Sequence, residues 1–192
     1  MQKNQGFKKA FTVLELIFVM IILGILAAIA LPKLSSSKDE AELSKALNNL
    51  KTMISDISTY ALKNSALSST SLMSGVDGLE NVDLSTLNGV REVKFKVAND
   101  ENCISVLFIS LSNVLIMGLA SNDNTKTLIQ NIAQAQNEAL KNNSASQNYN
   151  NALKALLNAD FTSTSTDKVC VNLSTHSNFK ALANRTYTLL GG

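Results

Sequence analysis

The apolar content of the chain starts abruptly. From Phe11 to Leu31 there are 21 residues with Glu15 as their only charge. About 20 apolar residues at ~1.5 Å each suffice for a helix to cross a bilayer, so residues 11–31 read as a membrane helix. After Pro32 the pattern changes. Leu43, Leu47, Leu50, Ile54, Ile57 and Ala61 recur at alternating steps of four and three, with Ala46, Met53 and Tyr60 beside them. Lys45, Asn49, Lys51, Asp56 and Lys63 fall between. That is one apolar stripe on an amphipathic helix. Pro32 cannot donate to the helix ladder and crowds the preceding turn. Because helical spacing resumes beyond it, it reads as a kink rather than a stop. Residues 32–66 then continue the membrane helix, and an unbroken rod from Phe11 to Ala66 would measure ~84 Å.

Beyond Ala66 the spacing breaks down. Ser68-Ser69-Thr70-Ser71 and the glycines Gly75, Gly78 and Gly89 mark loops. Val93, Phe95 and Val97 alternate with Lys94 and Lys96, as in a half-buried strand. Cys103 to Ile109 reads as its partner across Asn99-Asp100-Glu101-Asn102, and Val114 to Leu119 as a third strand. Residues 125–142 return to helical spacing through Leu128, Ile132, Ala135 and Ala139, ending at Asn142-Asn143-Ser144, and a short helix is expected from Tyr149 to Leu157. Val169, Val171 and Leu173 alternate as a further strand, and Thr186 to Leu190 as a last one. The pattern predicts an α+β domain over residues 67–192, antiparallel strands packed on the apolar face of the long helix. Residues 125–159 form a helical insertion, read either as an exposed decoration or as a cover for the sheet. An isolated coiled coil would also bury the stripe of residues 43–61, but the residues that follow it need a scaffold.

Charge orients this plan. Lys3, Lys8 and Lys9 precede the apolar run and should stay in the cytoplasm by the positive-inside bias, which puts residues 67–192 across the membrane. A carboxylate within hydrocarbon costs about 2.5–3.5 kcal/mol on insertion scales, so Glu15 asks for a partner. An ordinary secretory signal has about 7–15 apolar residues, fewer than here. A plain signal-anchor helix explains the length and the lysines but leaves Glu15 without a purpose. Small residues at Gly24, Ala27, Ala28 and Ala30 would let neighbouring helices approach closely.

Ala10-Phe11-Thr12-Val13-Leu14-Glu15-Leu16, preceded by Lys8-Lys9, resembles the cleavage and methylation motif of type IV prepilins and type II secretion pseudopilins. Gly24 and Pro32 also fall where such pilins carry glycine and proline. The resemblance covers roughly Lys8 to Lys38. It implies that a prepilin peptidase cuts between Ala10 and Phe11, that the new Phe11 amine is methylated, and that Glu15 pairs with the terminal amine of a neighbouring subunit as a fibre grows. The family usually has glycine before the cut. Ala10 is still small, and slower or more selective cleavage is expected. The implied organisation is a leader over 1–10, a transmembrane helix over 11–31, its amphipathic continuation over 32–66, and a periplasmic pilin-like domain over 67–192. The implied partners are the peptidase, copies of this chain and other pseudopilins, and an inner-membrane assembly platform with its ATPase.

Cleavage would remove three of the 17 basic side chains and leave 14 against 15 acidic ones. A near-neutral domain disfavours direct DNA binding, although Lys94, Lys96 and Lys126 could gather into a local patch. Cys103 and Cys170, both on the outer side and both in expected strands, point to a disulfide, with two buried free thiols as the alternative. A metal site on them is disfavoured, since His176 is the only histidine. Asp77, Glu80 and Asp83 cluster near glycines in the manner of oxygen ligands for calcium. Some secretion pseudopilins bind calcium, but later in their chains, so no metal or cofactor is expected. His176 lies among Ser, Thr and Asn and reads as a solvated loop residue. No Ser-His-Asp or Cys-His arrangement and no phosphate-binding loop is present, which argues against an enzyme. Two classes remain. One is a structural pseudopilin subunit of a secretion, pilus or competence DNA-uptake machine. The other is a membrane-anchored periplasmic binding module that does not assemble.

Overall fold

The computed structural model describes residues 12–142 and 146–191. The expected leader and both sides of the expected cleavage, Ala10 and Phe11, lie outside the described residues, as do Asn143 and Ser144. Helix α1, Val13–Asn64, carries the first apolar run and the stripe that follows it, and position 32 falls within its helical span. The chain divides into two compact units, one up to Asp39 and one from Glu40. In the first unit the large apolar side chains from Val13 to Leu26 are exposed.

In the second unit the stripe of α1 faces inward. Leu50, Met53, Ile57 and Ala61 are fully buried, and Ala46, Leu47 and Ile54 nearly so. The helix ends at Asn64, where Ser65 takes the left-handed conformation at φ 52°. Helix α2, Thr70–Met73, follows. The buried Thr70 hydroxyl donates to the Glu80 carbonyl at 2.6 Å and accepts the Val82 N–H at 2.9 Å, which pins residues 80–82 against this turn.

Four antiparallel strands form one sheet in the order β1 (Gly89–Val97), β2 (Asp100–Ser110), β3 (Leu115–Ala120) and β4 (Thr186–Leu190). The first hairpin is tighter than the sequence suggests. Val97 pairs with Asp100, and Ala98 turns at φ 51°, so Asp100, Glu101 and Asn102 belong to β2 rather than to the loop. Residues 78–80 run along the outer edge of β1. The Lys96 N–H donates to the Gly78 carbonyl at 2.8 Å, and the Glu80 N–H to that of Lys94 at 2.9 Å. They cover part of an edge that would otherwise be open to pairing. Gly78 sits at φ 96°, and a Cβ there would meet the Lys96 carbonyl oxygen at 2.6 Å.

Every residue of β2 from Cys103 to Ile109 is buried, so both faces of the sheet are covered. Val93, Phe95, Val106, Phe108 and Met117 alternate on one face, in the same core as the stripe of α1. Helix α3, Asp123–Lys141, lies on the other. Its Ile129 touches Gly118, and the Gln136 amide donates to the Thr188 hydroxyl at 3.1 Å. Ile129, Ile132 and Ala133 are fully buried, so the first helix of the expected insertion covers the sheet instead of decorating the surface. Helix α4, Ser146–Leu157, packs on α3 and buries Leu156.

One expected strand is overturned. Residues 169–173 belong to helix α5, Lys168–Thr175. Its buried positions, Val169, Cys170, Leu173 and Ser174, recur one and four residues apart, the spacing of a helix face. Asp167 caps it, accepting the Val169 and Cys170 N–H groups at 2.8 and 3.1 Å. Helix α6, Ser177–Ala183, follows without a loop, and its Phe179 meets Phe161 edge-to-face at 6.2 Å.

Candidate functional site

The N-terminal turn of α1 is built by Thr12 and Glu15. The Thr12 N–H and hydroxyl both donate to Glu15 Oε2, at 2.9 and 2.8 Å, and the Glu15 N–H donates back to Thr12 Oγ1 at 3.2 Å. This is a reciprocal capping box. The sequence carried its signature, Thr-x-x-Glu ahead of an apolar run, yet attention to Glu15 alone passes over Thr12. Two donors from Thr12 fix the direction of the carboxylate. Behind it, Val13–Ala30 is apolar and long enough to cross a membrane, about 27 Å at the helical rise. Its side chains have no cover among the described residues. A Cβ at Gly24 would meet nothing within 4 Å, so that side of the helix is open to close approach.

In the second unit, Cys103 of β2 and Cys170 of α5 are bonded, S–S 2.06 Å with Cα atoms 5.5 Å apart. The pair joins a strand to a helix, and both residues are buried. Beside it lies a polar cleft of about 460 Å³ between the start of β2, the N-terminus of α3 and the segment 162–165. Ser165 donates to the Asp100 carboxylate there. Asn122 and Thr125 cap α3 reciprocally, the Thr125 N–H donating to Asn122 Oδ1 at 2.9 Å.

Of the three lysines considered as a basic patch, two are paired with acids. Lys126 bridges Glu92 at 2.9 Å and Asp123 at 3.3 Å, and Lys96 lies 3.8 Å from Glu101. Burial by itself lowers the Lys126 pKa, but bonding to Glu92 and Asp123 outweighs it and raises the value above that of an ordinary lysine. The three acids considered for calcium are engaged separately. Asp77 pairs with Lys45 at 2.7 Å, Glu80 accepts the Lys94 N–H at 3.0 Å, and Asp83 accepts the Ser85 N–H at 2.9 Å. The Lys45 hydrogen bond and charge hold the Asp77 carboxyl below its usual range. Among the described residues no three His, Cys, Asp or Glu side chains gather to hold a metal. His176 is the half-exposed, non-helical residue between α5 and α6. It ends α5 and begins α6, and its Nδ1 accepts the Asn178 N–H at 3.1 Å.

Comparison with curated proteins finds this chain similar to type II secretion system core protein G of several bacteria. It is 37% identical to that of Pseudomonas aeruginosa over 70 residues, 36% of this chain and 48% of the relative. It is 35% identical to that of Aeromonas hydrophila over 81 residues, 42% of this chain and 54% of the relative. The Vibrio cholerae protein is 36% identical over 70 residues, 36% of this chain and 45% of the relative. The chain thus spans about half the length of the curated relatives it matches. No protein-family model matches it, and no solved structure does.

Proposed function

We propose that this chain is a pseudopilin: a structural subunit, not an enzyme, that polymerises through its N-terminal helix into a periplasmic fibre of a type II secretion machine. The observation that carries this reading is Glu15, the lone charge within the apolar segment Val13–Ala30. The similarity to core protein G supports it. In the proposed course, residues 1–10 are a leader, 11–31 span the inner membrane, 32–66 continue the helix, and 67–192 fold in the periplasm. A prepilin peptidase cuts between Ala10 and Phe11, and the new Phe11 amine is methylated. That amine then lies against Glu15 of an adjacent subunit. Charge neutralisation removes the cost of holding a carboxylate in hydrocarbon, and the apolar helix exchanges lipid for neighbouring helices. Other pseudopilins, an assembly platform and its ATPase complete the machine.

The test is made on the full chain in its own cell. Glu15→Ala and Glu15→Lys are expected to abolish fibre assembly while the domain from residue 67 keeps its folded protease resistance. Mass spectrometry should find a mature chain beginning at Phe11. Normal assembly by both variants, or a chain that retains Met1, overturns the reading. A membrane-anchored binding module would tolerate both substitutions.

A further inference from the structure

Every residue lining the cleft of about 460 Å³ between the start of β2, the N-terminus of α3 and the segment 162–165 carries a polar side chain. Its walls are tied to one another. The Asn122 amide donates to the Asp160 and Thr162 carbonyls at 2.9 and 3.1 Å, joining α3 to the segment. The Ser163 N–H donates to the Ser174 hydroxyl of α5 at 2.9 Å, and Ser165 donates to Asp100 of β2. The cleft therefore holds its shape before a ligand arrives, which lowers the ordering cost of binding. Three of its side chains keep unused hydrogen-bonding groups. Asn102, Asn124 and Thr164 are exposed, and their side chains have no partner among the described residues. The same chemistry continues along α3. Asn124, Thr127, Asn131 and Gln134 recur at steps of three, four and three, all exposed. That spacing sets them on one helix face, over about 15 Å. Neither the Asn131 nor the Gln134 side chain has a partner among the described residues.

These groups define the ligand. Carboxamides and hydroxyls both donate and accept, and they shed water at less cost than charges do. The cation of the cleft, Lys126, is spent on Glu92 and Asp123. Asp100 and Asp123 leave the rim acidic, which repels nucleic acids and other polyanions. No aromatic side chain lines the cleft, so a nucleobase has nothing to stack on. No apolar side chain is there to receive a lipid or an apolar peptide. What fits is an uncharged molecule dense in hydroxyl groups. We infer that the cleft and the amide-bearing face of α3 bind a neutral polysaccharide chain. Its leading units sit in the cleft against Asn102, Asn124 and Thr164, and the following ones run along Asn131 and Gln134. Recognition runs through the hydroxyl edges of the sugars rather than through stacking on their faces. The site is complete within one chain, so it goes beyond the polymerising role and stands apart from it.

The experiment uses the full-length chain in detergent micelles and titration calorimetry. The probes are neutral tetrasaccharides of glucose, galactose, mannose and N-acetylglucosamine, and at least one is expected to bind saturably. Asn124→Ala combined with Thr164→Val should weaken that binding by about tenfold, the loss of two hydrogen-bonding side chains, with an unchanged melting temperature. Gln134→Ala should weaken the tetrasaccharide by about threefold and leave the disaccharide of the same sugar unaffected, since only the longer chain reaches it. Asn150→Ala, which removes an exposed amide of α4 outside the cleft, should change neither. The tetramer of galacturonate, an anionic counterpart, should bind more weakly than the neutral sugar. Absence of binding by all four neutral tetrasaccharides overturns the inference, and so does binding that the double variant leaves intact. Tighter binding of the galacturonate tetramer, or of an uncharged peptide of glycine, serine and asparagine, also overturns it and reassigns the cleft to an anion or a peptide.

Discussion

Glu92 sits where its own burial works against its charge. Desolvation raises its pKa, but the Ser105 hydroxyl at 2.6 Å and the Lys126 ammonium at 2.9 Å outweigh that and lower it below the ordinary glutamate value of 4.5. A carboxyl depressed in the folded state stabilises the fold above its unfolded pKa, and the contribution fades as pH falls through the lower folded value. Glu92→Gln should therefore flatten the loss of stability on acidification below about pH 4.5, the unfolded glutamate value. The pair is partly exposed, so the effect is about 0.2–1 kcal/mol, read from urea unfolding midpoints across pH. At this scale the sequence is partly legible. Glu15 stands out because a charge within a long apolar run is costly wherever the chain folds. Lys126 does not, because its partner Glu92 lies on a strand far away in sequence, and only the fold brings them together.

The contact of α3 with the sheet turns on one small residue. A Cβ at Gly118 would fall 2.7 Å from Ile129 Cγ2, and Ile129 is fully buried with nowhere to move. Gly118→Val should destabilise the domain by about 1–3 kcal/mol through overpacking, seen as a lower urea midpoint. Pairing it with Ile129→Ala should recover part of the loss, since the second change vacates the space the first needs. Elements with long, clean periodicity were legible: the stripe of α1, strands β1 to β3, and the helical spacing of α3. The segment 168–175 was not, because Val169, Val171 and Leu173 alternate as well as they follow a helix face, and so short a window fits both periods. What decides it is Asp167, whose carboxylate caps the first turn.

For the second unit as a whole, the Cys103–Cys170 bond ties α5 to β2 across the span that holds β3, α3 and α4. Replacing both cysteines by serine should lower unfolding free energy by about 2–4 kcal/mol, with a matching drop in melting temperature. The unreduced, denatured wild-type chain should take up no thiol label. The cysteines were legible as a pair, but the strand-to-helix geometry that joins them was not, since it follows from how α5 caps and packs. Strand order carries a further consequence. β4 closes the outer side of β3, yet all of α3 to α6 comes between them in the chain. Until Thr186–Leu190 has emerged, β3 offers a bare row of backbone donors and acceptors along a strand of Leu115, Ile116, Met117 and Leu119. A nascent or truncated chain stopped short of that point could borrow the missing strand from another molecule, so incomplete synthesis should surface as strand-swapped aggregates rather than as soluble, unfolded domain.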